Sequence, residues 1–306
     1  MPKCGEAAWT PLSEPPFAPV ETHLGKGAAF AVLAAFAFSF TGVCVKLAST
    51  TVSNEMVVFV RNFVSFLVLA PWLLRGGWSR VRTTRLGGHF LRASFGVASM
   101  YCFFYAIAKL PLASAMLLTY STPLYVPFIA WLWIHERPPF IVFPAVVLGI
   151  VGISFIVHPS ASFDLSAGLV GVCAGALAAG AMVSIRRISN TEPASRIVFY
   201  FAGIASLIAF VPMLWSWRTP NQHESLLLLA TGLTATMGQL CLTRAYSLAP
   251  AARIGPFTYT SVIFSALLAW WLWGEQLDRW SALGCGLVIG TCVMVGWTRR
   301  EPQLEE

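Results

Sequence analysis

Apolar residues fill most of this chain in long uninterrupted runs. Nine runs contain no Asp, Glu, Lys or Arg, and a tenth, residues 56–74, is interrupted only by Arg61. The shortest run, 93–108, has to extend back to about Gly87 to reach the roughly 20 residues that cross a bilayer. The pattern therefore predicts an all-α membrane protein with ten transmembrane helices. The other uninterrupted runs are 27–45, 110–134, 138–157, 165–185, 197–217, 225–243, 254–274 and 280–298.

The second half of the chain repeats the first. A shift of 139 residues places the segment Pro111–Arg137 on a similar segment that begins at Pro250. An internal repeat built from apolar helices is typical of secondary transporters. The matched pairs include Ala113 and Ala252, Thr119 and Thr258, Tyr120 and Tyr259, Trp131 and Trp270, and Glu136 and Glu275.

The repeat divides the chain into four parts. We expect a tail over residues 1–26, a first five-helix repeat over 27–160, a second five-helix repeat over 161–298 and a tail over 299–306. The first tail is rich in proline and has no apolar core behind a basic start, which predicts a disordered segment and not a signal peptide. Because five is an odd number, the second repeat enters the membrane upside down relative to the first. Inverted repeats of this kind permit two conformations, each open to one side.

Basic residues indicate the orientation. Twelve Lys and Arg residues fall in the segments on the side of the termini, three fall on the opposite side, and five lie at or within helices. Because basic residues are retained in the cytoplasm, both termini are predicted to be cytoplasmic. Glu136 would then face the cytoplasm, and Glu275 would face the outside.

Composition narrows the functional classes. The chain is 57% hydrophobic and 11% charged, whereas soluble domains carry about 25% charged residues. The basic residues that give the net charge of +7 lie in short loops between apolar runs, so we expect no nucleic-acid partner. The seven cysteines are scattered without a C-x-x-C pair, which predicts neither a disulfide framework nor a metal site. No H-E-x-x-H motif or deep carboxylate pair supports an enzyme, and no cofactor is expected.

Six short segments carry a family resemblance: FVRNF around Arg61, LRASFG, YAIAKLPLASA, TPLYVPFIAWLWIHE ending at Glu136, AYSLAPAARIGPFTY, and WLWGE ending at Glu275. In this order they resemble the EamA group of the drug/metabolite transporter superfamily over residues 27–297. The resemblance implies a ten-helix inverted-repeat transporter of small organic metabolites in a bacterial inner membrane, most often an exporter. It does not imply a substrate, because similar members handle amino acids, riboflavin, S-adenosylmethionine or nicotianamine-like metallophores. The chain departs from the family at His135, where glycine is common.

Arg61 is the first candidate for substrate contact. It lies six residues after Glu55, roughly 9 Å below the outer start of its helix. A guanidinium at that depth is costly without a partner, and it matches a carboxylate or phosphate well. The alternative is that it caps helix ends or snorkels to the outer interface. Lys46 is also expected to snorkel. Three further arginines are expected near the cytoplasmic face, as topology anchors or as attractors of anions: Arg92, Arg244 and Arg253.

Polar aromatic residues and one amide complete the predicted binding site. Tyr120 and Tyr259 are repeat-related and lie in the bodies of their helices, where a phenol needs a hydrogen-bond partner. We predict that they contact the substrate together with Tyr101 and Gln239, with interhelix packing as the alternative. Tryptophans near helix ends fit an interfacial belt.

Prolines and glycines suggest where helices bend and where they pack. Pro123, Pro127 and Pro256 remove backbone hydrogen bonds in equivalent regions of the two halves, so we predict hinges for gating there, with static kinks as the alternative. The pairs Gly171/Gly175 and Gly286/Gly290 have G-x-x-x-G spacing, which predicts close packing of helices and, as a lesser alternative, a homodimer contact.

No acidic residue or histidine is expected deep in a helix. Proton-driven carriers relay protons through such groups, so facilitated diffusion or exchange is favoured. The leading hypothesis is export of a carboxylate-bearing metabolite, either an amino acid or an amino-acid-derived, opine-like metallophore. The alternative is uptake of a larger aromatic metabolite such as riboflavin or S-adenosylmethionine.

Overall fold

The computed structural model describes residues 24–75, 77, 81–134, 140, 142–156, 164–249, 254, 257–258, 260–275 and 278–297. Within these residues the protein consists of helices and contains no strand. The first helix begins at Leu24, within the predicted tail, while residues 1–23 and 298–306 lie outside the described part. The helices are α1 Leu24–Ala48, α2 Asn54–Arg75, α3 Leu86–Lys109, α4 Leu112–Tyr120, α5 Thr122–Ile134, α6 Val142–Ile156, α7 Leu165–Ile188, α8 Ala194–Ser216, α9 Gln222–Leu248, α10 Thr260–Trp273 and α11 Arg279–Trp297.

In the part of the chain that the structure describes, seven segments are long and apolar enough to cross a membrane. Each of the ten predicted runs contains a helix, but within the described residues α6, α10 and the apolar part of α11 are shorter than a full span. The protein is therefore an all-helical, multi-pass membrane protein. The seven segments are Gly25–Ala48, Asn54–Arg75, Leu86–Lys109, Ser114–Trp133, Leu165–Ile188, Ala194–Ser216 and Gln222–Leu248.

Helices of the two halves pack against each other in reciprocal pairs. The first helix of the first half, α1, packs along α9, and the first helix of the second half, α7, packs along α3. The pairs α2 with α8 and α6 with α11 join equivalent helices. If the two halves are exchanged, the contact of α1 with α9 becomes the contact of α7 with α3, and the other two contacts are unchanged.

Small residues allow the close approaches between helices. A Cβ atom added at Gly232 would lie 2.5 Å from Val64, so α9 meets α2 with no room for a side chain. Gly171 and Gly175 of α7 meet α4 in the same way, which confirms the predicted packing role of that pair. Gly286 and Gly290 of α11 have open space instead, since no described atom lies within 4 Å of an added Cβ.

The predicted proline hinge in the first half is a break between two helices. Helix α4 ends at Tyr120 and α5 begins at Thr122, with Pro123 as its second residue. Because Pro123 has no N–H, it cannot donate to the Thr119 carbonyl, and the Thr122 hydroxyl donates to that carbonyl instead, at 2.8 Å. Pro127 is buried inside α5. The side chain of Pro123 and all of Pro256 lie outside the described residues, so a gating role stays a prediction.

We expect Gly175→Ala to lower the melting temperature of the purified protein by several degrees. The added methyl would lie 2.9 Å from the Leu118 carbonyl oxygen and 3.0 Å from the Thr119 carbonyl oxygen, and backbone atoms cannot move aside cheaply. Overpacking of this kind costs about 1–3 kcal/mol. The matched control is Gly286→Ala, which meets open space and should leave the melting temperature equal or slightly higher. Equal melting temperatures for the two variants would contradict the close α4–α7 contact.

Candidate functional site

A cavity of about 110 Å³ lies between the two halves. Residues from α1, α2, α3, α4, α5, α7, α8 and α9 line it, together with Thr258. A void of this size holds several water molecules or part of a small solute. Of the described helices, α6, α10 and α11 contribute no lining residue.

Equivalent positions of the two repeats line this cavity. In the α1, α2, α7 and α8 region the repeats align with a shift of 140 residues, which places Val58–Phe59 on Val198–Phe199. In the later helices the shift is 139. Both repeats therefore contribute residues from equivalent positions to the lining of the cavity. The lining pairs are Phe38 and Ala178, Thr41 and Ala181, Arg61 and Phe201, Met100 and Gln239, Phe103 and Leu242, and Thr119 and Thr258.

Two buried arginines dominate the chemistry of the cavity. Arg61 and Arg92 are 3% and 2% exposed, and their guanidinium carbons lie 5.7 and 4.1 Å from the centre of the Phe201 ring. Both distances are within the range of cation–π attraction. The two cations are therefore within roughly 10 Å of each other, and at an effective dielectric constant of about 20 they repel by on the order of 1–2 kcal/mol.

Each guanidinium is positioned by a different amide. Arg61 donates from Nη1 to Asn62 Oδ1 at 2.7 Å, and Arg92 donates from Nη2 to Gln239 Oε1 at 3.1 Å. The second bond joins α3 to α9, so it crosses between the halves. Fixed in this way, the two cations occupy separate places on the cavity wall.

Several buried donors around the cavity have no acceptor. The Nε and Nη1 atoms of Arg92 and the Thr119 hydroxyl make no hydrogen bond within the described part of the chain, although buried polar groups normally find a partner. Among the described lining residues there is also no carboxylate. The cavity therefore presents positive charge and unused donors, which suits a solute that carries an anionic group.

The predicted binding residues separate into three groups. Arg61 and Gln239 line the cavity, and the burial of Arg61 shows that the snorkelling alternative is wrong for it. Tyr101 does not line the cavity; its backbone carbonyl accepts from Asn54 Nδ2 at 3.1 Å in the packing of α2 on α3. The side chains of Tyr120 and Tyr259 lie outside the described residues.

Arg92 is predicted near the cytoplasmic end of its helix, as a topology anchor or an attractor of anions. Its side chain is buried and lines the cavity, so it is not a surface anchor, and its helix face is turned inward. Gly96 and Ser99, four and seven residues later on the same face, also line the cavity. Such a stripe of small residues beside a basic residue indicates an inward-facing side. Arg244 is exposed as expected, and Arg253 lies outside the described residues.

Lys46, which the sequence predicts to snorkel to the interface, has a partner within the protein. Its ammonium group forms an ion pair with Glu275 and lies 5.1 Å from the Trp273 ring centre. Gly274, with φ of 64°, ends α10 with the Gly274 and Glu275 N–H groups donating to the Trp270 and Ala269 carbonyls, a pattern that glycine favours. The other carboxylate oxygen of Glu275 accepts from the Leu112 N–H at 3.2 Å. Glu275 therefore joins the ends of α1, α4 and α10.

His89 lies near a helix end, as expected, but its side chain is fully buried. Its ring stacks on Tyr200 with centres 4.6 Å apart. It does not line the cavity, and among the described lining residues there is no histidine. The contact links the start of α3 to α8.

A multi-pass helical protein with a polar cavity between two repeated halves has the architecture of a small-molecule membrane transporter. The model of the EamA-like transporter family matches residues 25–158 and 165–297. The chain belongs to this family of transporters, which confirms the resemblance seen in its motifs.

Curated relatives and a solved structure extend the comparison. The chain is 34% identical over 282 residues to the pseudopaline exporter CntI of Pseudomonas aeruginosa, covering 90% of this chain and 98% of that protein. It is 25% identical to a riboflavin transporter of Vibrio cholerae (94% and 98% covered) and 23% identical to an S-adenosylmethionine uptake transporter of Rickettsia conorii (92% and 96%). A crystal structure with 18% identity aligns with a TM-score of 0.67 over 88% of this chain and 96% of the other, which supports the fold.

We expect Glu275→Ala to lower the melting temperature more than Lys46→Ala. Removing Lys46 breaks one partly buried ion pair, worth up to about 1 kcal/mol, whereas removing Glu275 also leaves the Leu112 N–H without its acceptor. Glu275→Gln should fall between them, because an amide oxygen can still accept from Leu112. The control is Arg279→Ala, an exposed charge nearby. If Lys46→Ala were the more damaging change, the joining role of Glu275 would be wrong.

Proposed function

We propose that this protein exports a small carboxylate-bearing metabolite by alternating access. The cargo class is an amino acid or an amino-acid-derived, opine-like metallophore. One observation carries the proposal: two buried arginines line a cavity in which unused donors remain and the described lining has no carboxylate. The 34% identity to a protein named as the pseudopaline exporter supports both the direction and the cargo class.

Contacts at the helix ends support an inverted arrangement of ten spans. The end of α1 and the start of α4 meet at Glu275, and α3 ends at Lys109, three residues before Leu112 begins α4. The start of α3 therefore lies at the opposite end of the bundle, where Gly88 packs against Ile188, the last residue of α7. These contacts support opposite directions for α1 and α7, the first helices of the two repeats. With this threading, a cavity at the interface of the halves opens to one side at a time.

The setting we propose is a bacterial inner membrane with both termini in the cytoplasm. The distribution of basic residues supports that orientation. We propose facilitated diffusion or exchange, because a proton relay would need a buried carboxylate or histidine beside the cargo. A homodimer contact would use the open face of α11 at Gly286 and Gly290. Nucleic acid and enzymatic chemistry have no place in this proposal.

The alternative function is uptake of a larger aromatic metabolite such as riboflavin or S-adenosylmethionine. The rings of Phe38, Phe103, Phe104 and Phe201 line the cavity and could stack on such a solute. The relatives named as transporters of these compounds are 25% and 23% identical, lower than the exporter. Rescue of a riboflavin auxotroph, or of cells that depend on imported S-adenosylmethionine, would favour this alternative.

Comparison of the culture medium of cells with and without the gene identifies the exported compound. We expect Arg61→Ala, expressed at the wild-type level, to reduce efflux of that compound at least about tenfold, because a charge-assisted contact is lost. Arg61→Lys should retain part of the efflux, since it keeps the positive charge but not the planar array of N–H donors of the guanidinium. Arg244→Ala removes an exposed arginine and should have normal efflux. Normal efflux by Arg61→Ala would remove Arg61 from the site.

Reporter fusions test the threading directly. We expect cytoplasmic signals for fusions at both termini and after Glu136, and a periplasmic signal for a fusion after Glu275, because the two glutamates end equivalent segments of oppositely oriented repeats. Signals that place Glu136 and Glu275 on the same side would contradict the inverted arrangement.

A further inference from the structure

We infer that Arg92 is a second anion-binding residue of the transport site, so that the cavity selects substrates with two anionic groups over substrates with one. This inference rests on the proposed function and deepens it. It adds the residue that holds the second group and the number of negative charges on the cargo.

The geometry of Arg92 supports a contact with cargo. A guanidinium has five N–H bonds, and the Nη2 atom uses one of them on Gln239. The Nε and Nη1 atoms, with three N–H bonds between them, have no acceptor within the described residues. The side chain is nevertheless 2% exposed and lines the cavity. An acceptor inside the cavity would satisfy donors that the protein leaves unused.

The packing around Arg92 holds the guanidinium in place. A Cβ atom added at Gly96 would collide with Arg92 Nη1 and would lie 2.7 Å from the Phe201 ring. The guanidinium therefore lies over Gly96 and against Phe201, with Gln239 fixing one nitrogen. A pre-positioned cation loses little freedom when it binds an anion.

Charge balance explains why two anionic groups are preferred. Arg61 and Arg92 place two positive charges in one cavity, and each has its own positioning amide. A substrate whose single carboxylate contacts Arg61 would leave the Nε and Nη1 atoms of Arg92 without an acceptor among the described residues. A second carboxylate would accept hydrogen bonds from these atoms and neutralise the Arg92 charge.

A structural role for Arg92 is the competing explanation. In that case the residue only ties α3 to Phe201 and Gln239 of the second half. Its removal would then lower the melting temperature without ligand and weaken the binding of all ligands to the same extent. A selective loss of one class of ligand separates the two explanations.

The experiment compares two probes with the full-length protein purified in detergent. N-(1-carboxyethyl)phenylalanine carries two carboxylates, and N-isopropylphenylalanine replaces one of them with a methyl group. We expect the wild-type protein to bind the dicarboxylate at least about tenfold more tightly, measured by ligand-dependent melting temperature and calorimetry. Arg92→Ala should weaken dicarboxylate binding by about 10- to 100-fold and change monocarboxylate binding less than about threefold. Arg92→Lys should recover part of the loss.

A second variant keeps the experiment decisive if Arg92→Ala does not yield folded protein. Gly96→Ala retains both charges but displaces the Arg92 guanidinium, and it should show the same selective loss. Arg244→Ala is the matched control and should bind both probes as the wild type does.

The outcomes also distinguish the inference from the function on which it rests. If the wild type bound both probes equally and Arg92→Ala bound them unchanged while Arg61→Ala bound neither, the role of Arg92 would be overturned and carboxylate transport would stand. If the wild type bound neither probe, and the exported compound identified in the medium had no carboxylate, the proposed function would fail and the inference with it.

Discussion

The positive charges of Arg61 and Arg92, buried within an apolar helix bundle, are the constraint on which most of this structure depends. Burying an ion in a low-dielectric medium costs several kcal/mol, and here the two cations also repel each other. The Phe201 ring and the amides of Asn62 and Gln239 offset part of that cost. Because the Nε and Nη1 atoms of Arg92 have no acceptor within the described residues, part of the cost is left to whatever fills the cavity. An empty or purely apolar cavity would therefore be less stable than one that holds water or an anion.

Close helix packing keeps the cavity small enough for these interactions to matter. Gly175 lets α7 approach the break between α4 and α5, and Gly232 and Gly238 let α9 approach α2 and α1. The break brings two lining hydroxyl residues, Thr119 and Thr122, to the level of the cavity. Because a larger side chain at these glycines would push the helices apart, small residues are as necessary to the site as the arginines.

The sequence predicts the helical class, the apolar segments and the repeat, because hydrophobic length and self-similarity are properties of the chain itself. The sequence predicts less well which side chains of a helix face the other helices. Counting residues from a helix end estimates depth in the membrane, but it does not show which face turns inward. Arg92 shows this limit: it lies near the start of α3, and its side chain faces the second half of the protein.

The Thr-Tyr pairs illustrate the same limit at finer scale. The repeat identifies Thr119 and Thr258 as equivalent positions, and both line the cavity. Self-similarity identifies the segment that matters, but only the packing of the helices shows that these two residues face the cavity.

Duplication produced a symmetric framework with an asymmetric interior. The position occupied by Arg61 in the first repeat is occupied by Phe201 in the second, and the two side chains are in contact. Both cations belong to the first half, whereas Phe201 and Gln239 belong to the second. In an alternating-access cycle the halves move relative to each other, so the contacts of Arg92 with Gln239 and Phe201 have to change as the cavity switches sides. An anion bound to the Nε and Nη1 atoms of Arg92 would move with the first half. It would neutralise the guanidinium charge while the contacts of Arg92 with the second half are remade. Occupancy of the site would in this way be coupled to the motion that releases the cargo.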